Sequence, residues 1–95
     1  KNRISNATAI RQQLTLVHDE IEIQLFVVLS HGKILTLNVS NQSNIACIKH
    51  MIEIRERISS SKQLLKFCGK PLKDHLTLCQ YNIHRESTLF LSILS

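Results

Sequence analysis

The sequence has little of several residue types that mark common classes of protein. It contains no Trp, one Pro and two Gly among 95 residues, which excludes a collagen-like repeat and a glycine-rich loop that cradles phosphate. It also lacks an apolar run long enough to span a membrane, and no apolar segment follows a basic start as in a secretory signal. The remaining composition, 43 % hydrophobic and 20 % charged, is typical of one compact domain.

Cysteine is also scarce. Cys47, Cys68 and Cys79 are an odd number without C-x-x-C spacing, so we expect reduced thiols in an intracellular protein. Cys47 and His50, together with His75 and Cys79, have spacings that a zinc site could use, but His and Cys also occur singly by chance. No nucleophile lies in a catalytic motif. We therefore expect no enzymatic activity, no cofactor and no metal.

Acidic residues are outnumbered, since seven Asp and Glu stand against twelve Lys and Arg and leave a formal charge of +5. The charges of residues 1–22 cancel, so the whole excess lies in residues 23–95. A basic domain favours an acidic partner, although lysines without interleaved aromatic residues are weak evidence for nucleic-acid binding. A nucleic-acid-binding domain therefore stays open as an alternative function.

Apolar periodicity divides the first half of the domain into a hairpin and a helix. Residues 21–29 begin with strict alternation and end in an apolar run, and residues 34–39 place Leu35, Leu37 and Val39 on one face, which predicts two strands joined by a tight turn. Three isoleucines share one face of the helix that should follow: Ile45, Ile48 and Ile52. Their spacing predicts a helix over residues 46–56, with Ser43 or Asn44 as its N-cap.

The second half contains two further predicted strands. Residues 63–67 are predicted to form a short strand, after which the chain turns at Gly69. Residues 88–94 are predicted to form the last strand. Three side chains of the last strand are expected in the core: Leu89, Leu91 and Ile93. A helix packed across one face of a mixed sheet accounts for this order of elements.

Residues 69–89 carry a set of motifs that resembles ubiquitin. The motifs stand in the ubiquitin order and spacing: Gly69-Lys70, Leu72, Asp74, Thr77-Leu78, Tyr81-Asn82-Ile83 and Glu86-Ser87-Thr88-Leu89. The match extends back to Ile23 without a gap and reaches Ser95. The resemblance implies the α+β fold called the ubiquitin-like β-grasp, in which one main helix packs across a mixed sheet of four to five strands.

The resemblance also implies roles for individual residues. Fourteen positions match buried sites of the family, and all of them are aliphatic: Leu25, Val27, Leu35, Leu37, Val39, Ile45, Ile48, Ile52, Leu65, Leu72, Leu78, Ile83, Leu89 and Leu91. Tyr81 matches a tyrosine whose hydroxyl bonds a nearby backbone group. Arg57 stands where the family ends its helix with glycine, so a left-handed Arg57 would cost about 1 kcal/mol.

One departure from the family pattern concerns the binding face. Ubiquitin receptors recognise an apolar patch centred on an isoleucine, and Lys66 matches the position of that isoleucine. Desolvating the Lys66 ammonium without a partner is costly, which disfavours ordinary ubiquitin receptors. Strand alternation nevertheless directs a set of apolar and basic side chains outward, which we interpret as a protein-binding surface: Phe26, Val28, Leu64, Lys66, Lys70, Phe90 and Leu94.

A second departure concerns the two ends of the chain. Leu94 stands at the first arginine position of the conjugating tail of ubiquitin, and no diglycine precedes the end at Ser95. A conjugable modifier is therefore a less favoured alternative. The chain also starts at Lys1 rather than Met. We expect residues 1–22 to be a linker or N-terminal extension that could include a short helix, and residues 23–95 to be the ubiquitin-like domain.

The sequence thus predicts a noncatalytic ubiquitin-like interaction domain within a larger intracellular protein, cytoplasmic or nuclear. By resemblance, its host would be a component of the ubiquitin–proteasome system, and a ubiquitin ligase is favoured on family frequency alone. The sheet face would dock a protein partner or another domain of the same polypeptide and so regulate the host. We expect no membrane contact, and we expect the isolated domain to be monomeric.

Overall fold

A mixed five-stranded sheet forms one layer of the structure, and one main helix packs across it. The computed structural model describes residues 20–94, so most of the linker predicted for residues 1–22 lies outside the described residues. The main elements follow in chain order: β1 (Glu22–Leu29), β2 (Ile34–Ser40), α1 (Ile45–Glu56), β3 (Gln63–Phe67), β4 (Lys70–Pro71) and β5 (Thr88–Ile93). This arrangement confirms the predicted α+β class and β-grasp architecture.

The sheet has the strand order β2-β1-β5-β3-β4. Its central pair, β1 and β5, is parallel, and the other neighbouring pairs are antiparallel. The β1–β2 hairpin closes where the Leu29 N–H donates to the Lys33 carbonyl at 2.8 Å. Gly32 adopts φ 98° in this turn, a conformation that a residue with a Cβ rarely reaches. The hairpin predicted from the alternating pattern is therefore present.

The helix is capped at both ends by local contacts. At its start, the Asn44 side-chain oxygen accepts a hydrogen bond from the Cys47 N–H at 2.9 Å, which identifies Asn44 as the N-cap. At its end, Arg57 is left-handed with φ 60° and ψ 36°, and its N–H donates to the Glu53 carbonyl at 2.7 Å. A left-handed residue with a Cβ is strained, so the cost predicted at Arg57 is present in the structure.

The core lies between α1 and the sheet. All fourteen aliphatic positions predicted to be buried are buried, and Ile23 and Leu29 join them. The prediction that Ile93 lies in the core is wrong, because its side chain is 50 % exposed. Ile93 pairs with Gln63 in the last pair of the β3–β5 ladder, at the end of the sheet.

The segment between β4 and β5 is held by a polar contact within itself and by another to α1. The Tyr81 hydroxyl accepts a hydrogen bond from the Lys73 N–H at 2.7 Å, which confirms the backbone contact predicted for this tyrosine. The Lys49 ammonium, on α1, lies 2.7 Å from a carboxylate oxygen of Asp74. These contacts hold the irregular segment whose aliphatic side chains close one side of the core.

Candidate functional site

The sheet face that α1 does not cover presents a row of side chains drawn from every strand. The strand registers pair these residues as neighbours, in the order of the sheet: Ile34, Val28, Phe90, Lys66 and Pro71. Neighbouring strands lie about 4.8 Å apart, so the row is about 19 Å long. We call these five residues the outer row.

The outer row is accessible along its length. Ile34 is 60 % exposed and Phe90 is 53 % exposed, whereas Val28 and Lys66 are partly exposed between their neighbours. Phe90 occupies the middle strand, with Val28 on one side and Lys66 on the other. Aromatic side chains are enriched at the centre of protein interfaces, whereas lysine is depleted there, so Phe90 is the member of this row most typical of an interface.

The other predicted site residues surround this row. Phe26 lies two residues before Val28 in β1 and pairs with Thr36 and Thr88. Leu64 lies two residues before Lys66 in β3 and pairs with Ser92. Leu94 follows β5 and is 46 % exposed, with its N–H bonded to the Lys62 carbonyl at 2.7 Å. By alternation, Phe26, Leu64 and Leu94 extend from the same face as the outer row.

Lys70 is placed differently from the other predicted site residues. It lies in the two-residue edge strand β4 and pairs with Phe67. The Phe67 side chain packs against the core. Because Lys70 is paired with Phe67, its side chain leaves the backbone on the face of the sheet opposite to that of Lys66. Its exposed side chain therefore lies at the edge of the sheet.

The similarity to known proteins accords with this geometry. The family model described as the ubiquitin family matches residues 25–94. The chain belongs to the ubiquitin family. This ubiquitin-family chain is also 35 % identical over 92 residues to Ubiquitin D from Mus musculus, a match that covers 94 % of the chain and 57 % of that protein. The chain thus spans little more than half the length of this relative.

Lys66 adds an unpaired positive charge to the outer row of this ubiquitin-family domain. Among residues 20–94, Lys33 pairs with Glu56 at 3.0 Å and Lys49 pairs with Asp74, but Lys66 has no ion-pair partner. The Lys66 ammonium therefore remains available to a carboxylate from outside the described part of the chain. An apolar row with one unpaired cation can select a partner by charge as well as by shape.

No group of three or more His, Cys, Asp or Glu side chains within residues 20–94 could hold a metal ion. Cys47, Cys68 and Cys79 are free and exposed. No helix in this part of the family domain is long and apolar enough to cross a membrane.

Two members of the outer row, Ile34 and Pro71, are absent from the set predicted from sequence. Ile34 could have been found, because the inward direction of Leu35 and Leu37 places it on the opposite face by strand alternation. Pro71 could not, because only the antiparallel pairing of β4 with β3 brings it beside Lys66. The pairing registers, which depend on distant residues, were the missing information.

Proposed function

We propose that this chain is a noncatalytic ubiquitin-like domain that docks a protein partner, or another domain of the same polypeptide, through the outer face of its sheet. Its role would be within the ubiquitin–proteasome system of an intracellular host protein. The outer row is the observation that carries the proposal. Membership of the ubiquitin family supports it, because proteins of this family are generally not enzymes.

The chemistry of the outer row defines the partner that it would fit. Val28 and Phe90 offer adjoining apolar surface at the centre of the face, and an apolar partner side chain buried there would be stabilised by leaving water. Lys66 beside them would be left desolvated and unpaired by a wholly apolar partner, which is costly. The partner should therefore carry a carboxylate next to its apolar residues.

The Phe90 side chain allows the strength of such a contact to be calculated. A phenylalanine offers about 200 Å² of surface, and Phe90 is 53 % exposed, so about 100 Å² remains to be buried. At about 25 cal/mol per Å² this burial contributes at most about 2.5 kcal/mol, or about a 70-fold change in Kd, because ordering costs offset part of it. Replacing Phe90 should thus be measurable in any complex that uses this face.

The test uses paired variants of the 95-residue chain. Partners captured by the immobilised chain are purified, and each Kd is then measured directly by calorimetry. We expect Phe90→Ala to weaken binding by about 10- to 70-fold and Lys66→Glu by about tenfold or more. Ile54→Ala and Lys73→Glu are matched controls, since Ile54 is an exposed residue of α1 and Lys73 is an exposed lysine outside the outer row.

The outcome separates this function from the nucleic-acid alternative. If Phe90→Ala and Lys66→Glu both keep the wild-type Kd for a verified partner, the outer face is not the binding surface. Tight oligonucleotide binding with a steep salt dependence, weakened equally by Lys66→Glu and Lys73→Glu, would support the nucleic-acid function instead.

A further inference from the structure

The strand β2 forms one edge of the sheet, with β1 as its neighbour on the other side. The Leu29 N–H donates to the Lys33 carbonyl at 2.8 Å, so this pair is a hydrogen-bonded pair of the β1–β2 hairpin. Every second pair of an antiparallel ladder is of this kind, which means that the odd-numbered residues of β2 bond to β1. The backbone N–H and C=O groups of the even-numbered residues therefore point away from the sheet, at Ile34, Thr36 and Asn38.

The contacts of β1 with the chain before β5 agree with this direction. Thr36 pairs with Phe26, and the Phe26 N–H donates at 3.0 Å to the Ser87 carbonyl on the far side of β1. The Gln24 carbonyl likewise accepts from the Glu86 N–H at 2.6 Å. The even-numbered residues of both hairpin strands thus direct their backbone groups away from each other, those of β1 toward β5 and those of β2 toward the open edge.

One outward group of the β2 edge is held by a side chain of α1. The Arg55 guanidinium donates to the Thr36 carbonyl at 2.7 Å, and Arg55 has no carboxylate partner within residues 20–94. Over the same residues, no hydrogen bond reaches the Thr36 N–H or the outward backbone groups of Ile34 and Asn38. An edge with open donors and acceptors is a template for a further strand, and Arg55 stands at the middle of this one.

The two edges of the sheet differ in how they are protected. The edge strand β4 is only two residues long and consists of Lys70 and Pro71, and short strands, lysine and proline all discourage the addition of another strand. The seven residues of β2 include neither a charged residue nor a proline. Within the described part of the chain, Arg55 is therefore the protection that the β2 edge has.

We propose that the β2 edge pairs with the β2 edge of a second copy of this chain, and that Arg55 holds this edge closed in the monomer. In an antiparallel pair centred on Leu37, Thr36 of each copy lies opposite Asn38 of the other. Their outward N–H and C=O groups then bond across the two-fold axis, as hydrogen-bonded pairs do in an antiparallel ladder. The contact uses the same strand on both copies, so it closes as a dimer.

Charge at the two ends of β2 supports a second copy as the occupant. Lys33 stands at the start of the strand, whereas the Glu20 carboxylate accepts from the Ser40 hydroxyl at its end and Glu22 pairs with Ser40. A two-fold axis brings the acidic end of one copy to the basic end of the other. Lys33 and Glu22 of different copies then lie two strand spacings, about 10 Å, apart, where opposite charges attract at low salt. A strand of one charge sign would meet like charge at one end.

Arg55 opposes this pairing in two ways. Its guanidinium occupies the Thr36 carbonyl that the Asn38 N–H of the second copy needs. The two-fold axis also places the Arg55 residues of both copies on diagonal neighbours of the new ladder, about 7–8 Å apart at the backbone, so their charges repel. Association has an entropic cost of its own, which a few hydrogen bonds barely offset. The wild-type chain should therefore remain the monomer expected from its sequence at micromolar concentrations.

Sedimentation equilibrium of the 95-residue chain tests the role of Arg55. We expect Arg55→Ala to lower the dissociation constant of the dimer at least about tenfold, because it frees the Thr36 carbonyl and removes both repelling charges. Arg85→Ala is the matched control, since it removes the same charge from an exposed residue before β5 and should behave as wild type. Equal dissociation constants for Arg55→Ala and wild type would overturn the proposal, and so would two chains that both stay monomeric at about 1 mM.

A second substitution locates the interface. The Asn38 N–H points away from β1, so Asn38→Pro removes no bond of the monomer but removes a donor that each copy gives the other. The double variant N38P/R55A should return to the monomer, whereas F90A/R55A should keep the dimer, because Phe90 belongs to the outer row. A dimer that survives Asn38→Pro would overturn the proposal, and its loss with Phe90→Ala would place the second copy on the outer row instead.

Amide hydrogen exchange gives a readout that does not depend on the proline variant. At a concentration where about nine-tenths of the Arg55→Ala chain is dimeric, exchange at the Thr36 and Asn38 N–H groups should slow about tenfold relative to the dilute chain. The Cys68 N–H, in the turn between β3 and β4, should exchange at the same rate in both samples. Unchanged exchange at Thr36 and Asn38 in a dimeric sample would overturn the proposed pairing.

Discussion

The ion pair between Lys49 and Asp74 predicts an asymmetric response to removal of its two partners. The Lys49 side chain is 11 % exposed and the Asp74 side chain is 61 % exposed, with 2.7 Å between the ammonium nitrogen and the carboxylate oxygen. Asp74→Asn leaves a buried ammonium without its counterion, whereas Lys49→Met leaves a carboxylate that water already reaches. We expect Asp74→Asn to be the more destabilising change.

The exposures set the magnitude of each effect. Breaking a fully buried ion pair costs about 3–5 kcal/mol, and exposed pairs contribute under about 1 kcal/mol. This pair is buried at one end only, so Asp74→Asn should lower the free energy of unfolding by about 2 kcal/mol. Lys49→Met retains most of the methylene packing of the lysine stem and should cost less than about 0.5 kcal/mol.

Urea unfolding at neutral pH, followed by circular dichroism, measures both changes. With an m value of about 1 kcal/mol per M for a domain of this size, the midpoint for Asp74→Asn should fall by about 2 M at unchanged m. The double variant K49M/D74N should resemble Lys49→Met, because no charge is then left unpaired. Equal midpoints for the two single variants would refute the argument from unequal burial.

Two further predictions concern local conformation. Arg57→Gly removes the strain energy of a left-handed residue at the end of α1. This gain exceeds the free-energy cost of the extra conformational entropy that glycine gives the unfolded chain, so the Tm should rise by about 3 °C. A lower Tm would contradict this. Tyr81→Phe removes the hydroxyl that accepts from the Lys73 N–H and should lower the free energy of unfolding by about 1 kcal/mol in the same urea assay. An unchanged midpoint would show that water replaces that contact.

Sequence reasoning succeeded where local pattern decides burial. The spacing of Ile45, Ile48 and Ile52 is enough to place one helix face in the core, because a helix repeats every 3.6 residues or so. The polar residue that precedes this pattern, Asn44, is the N-cap for an equally local reason. Patterns of this kind need no knowledge of distant residues.

Sequence reasoning failed where the outcome depends on elements far apart in the chain. Alternation alone directs Ile93 toward the core, but its place in the last pair of the β3–β5 ladder leaves it half-exposed. The outer row follows from registers among five strands, so Pro71 could not be assigned to it. The two hydrogen bonds between Ile21 and Asn41 likewise follow from the register of β1 against β2.

The parallel pairing of β1 with β5 has a consequence for how the chain is made. These strands are the first and the last of the described residues, yet they are neighbours at the centre of the sheet. During synthesis, the β1–β2 hairpin and α1 leave the ribosome before Leu89 and Leu91 can fill the core. The apolar faces of the hairpin and of α1 remain exposed to water over that interval, as in other folds with non-local strand pairs. The ribosome must therefore release β5 before any partner can recognise the outer row.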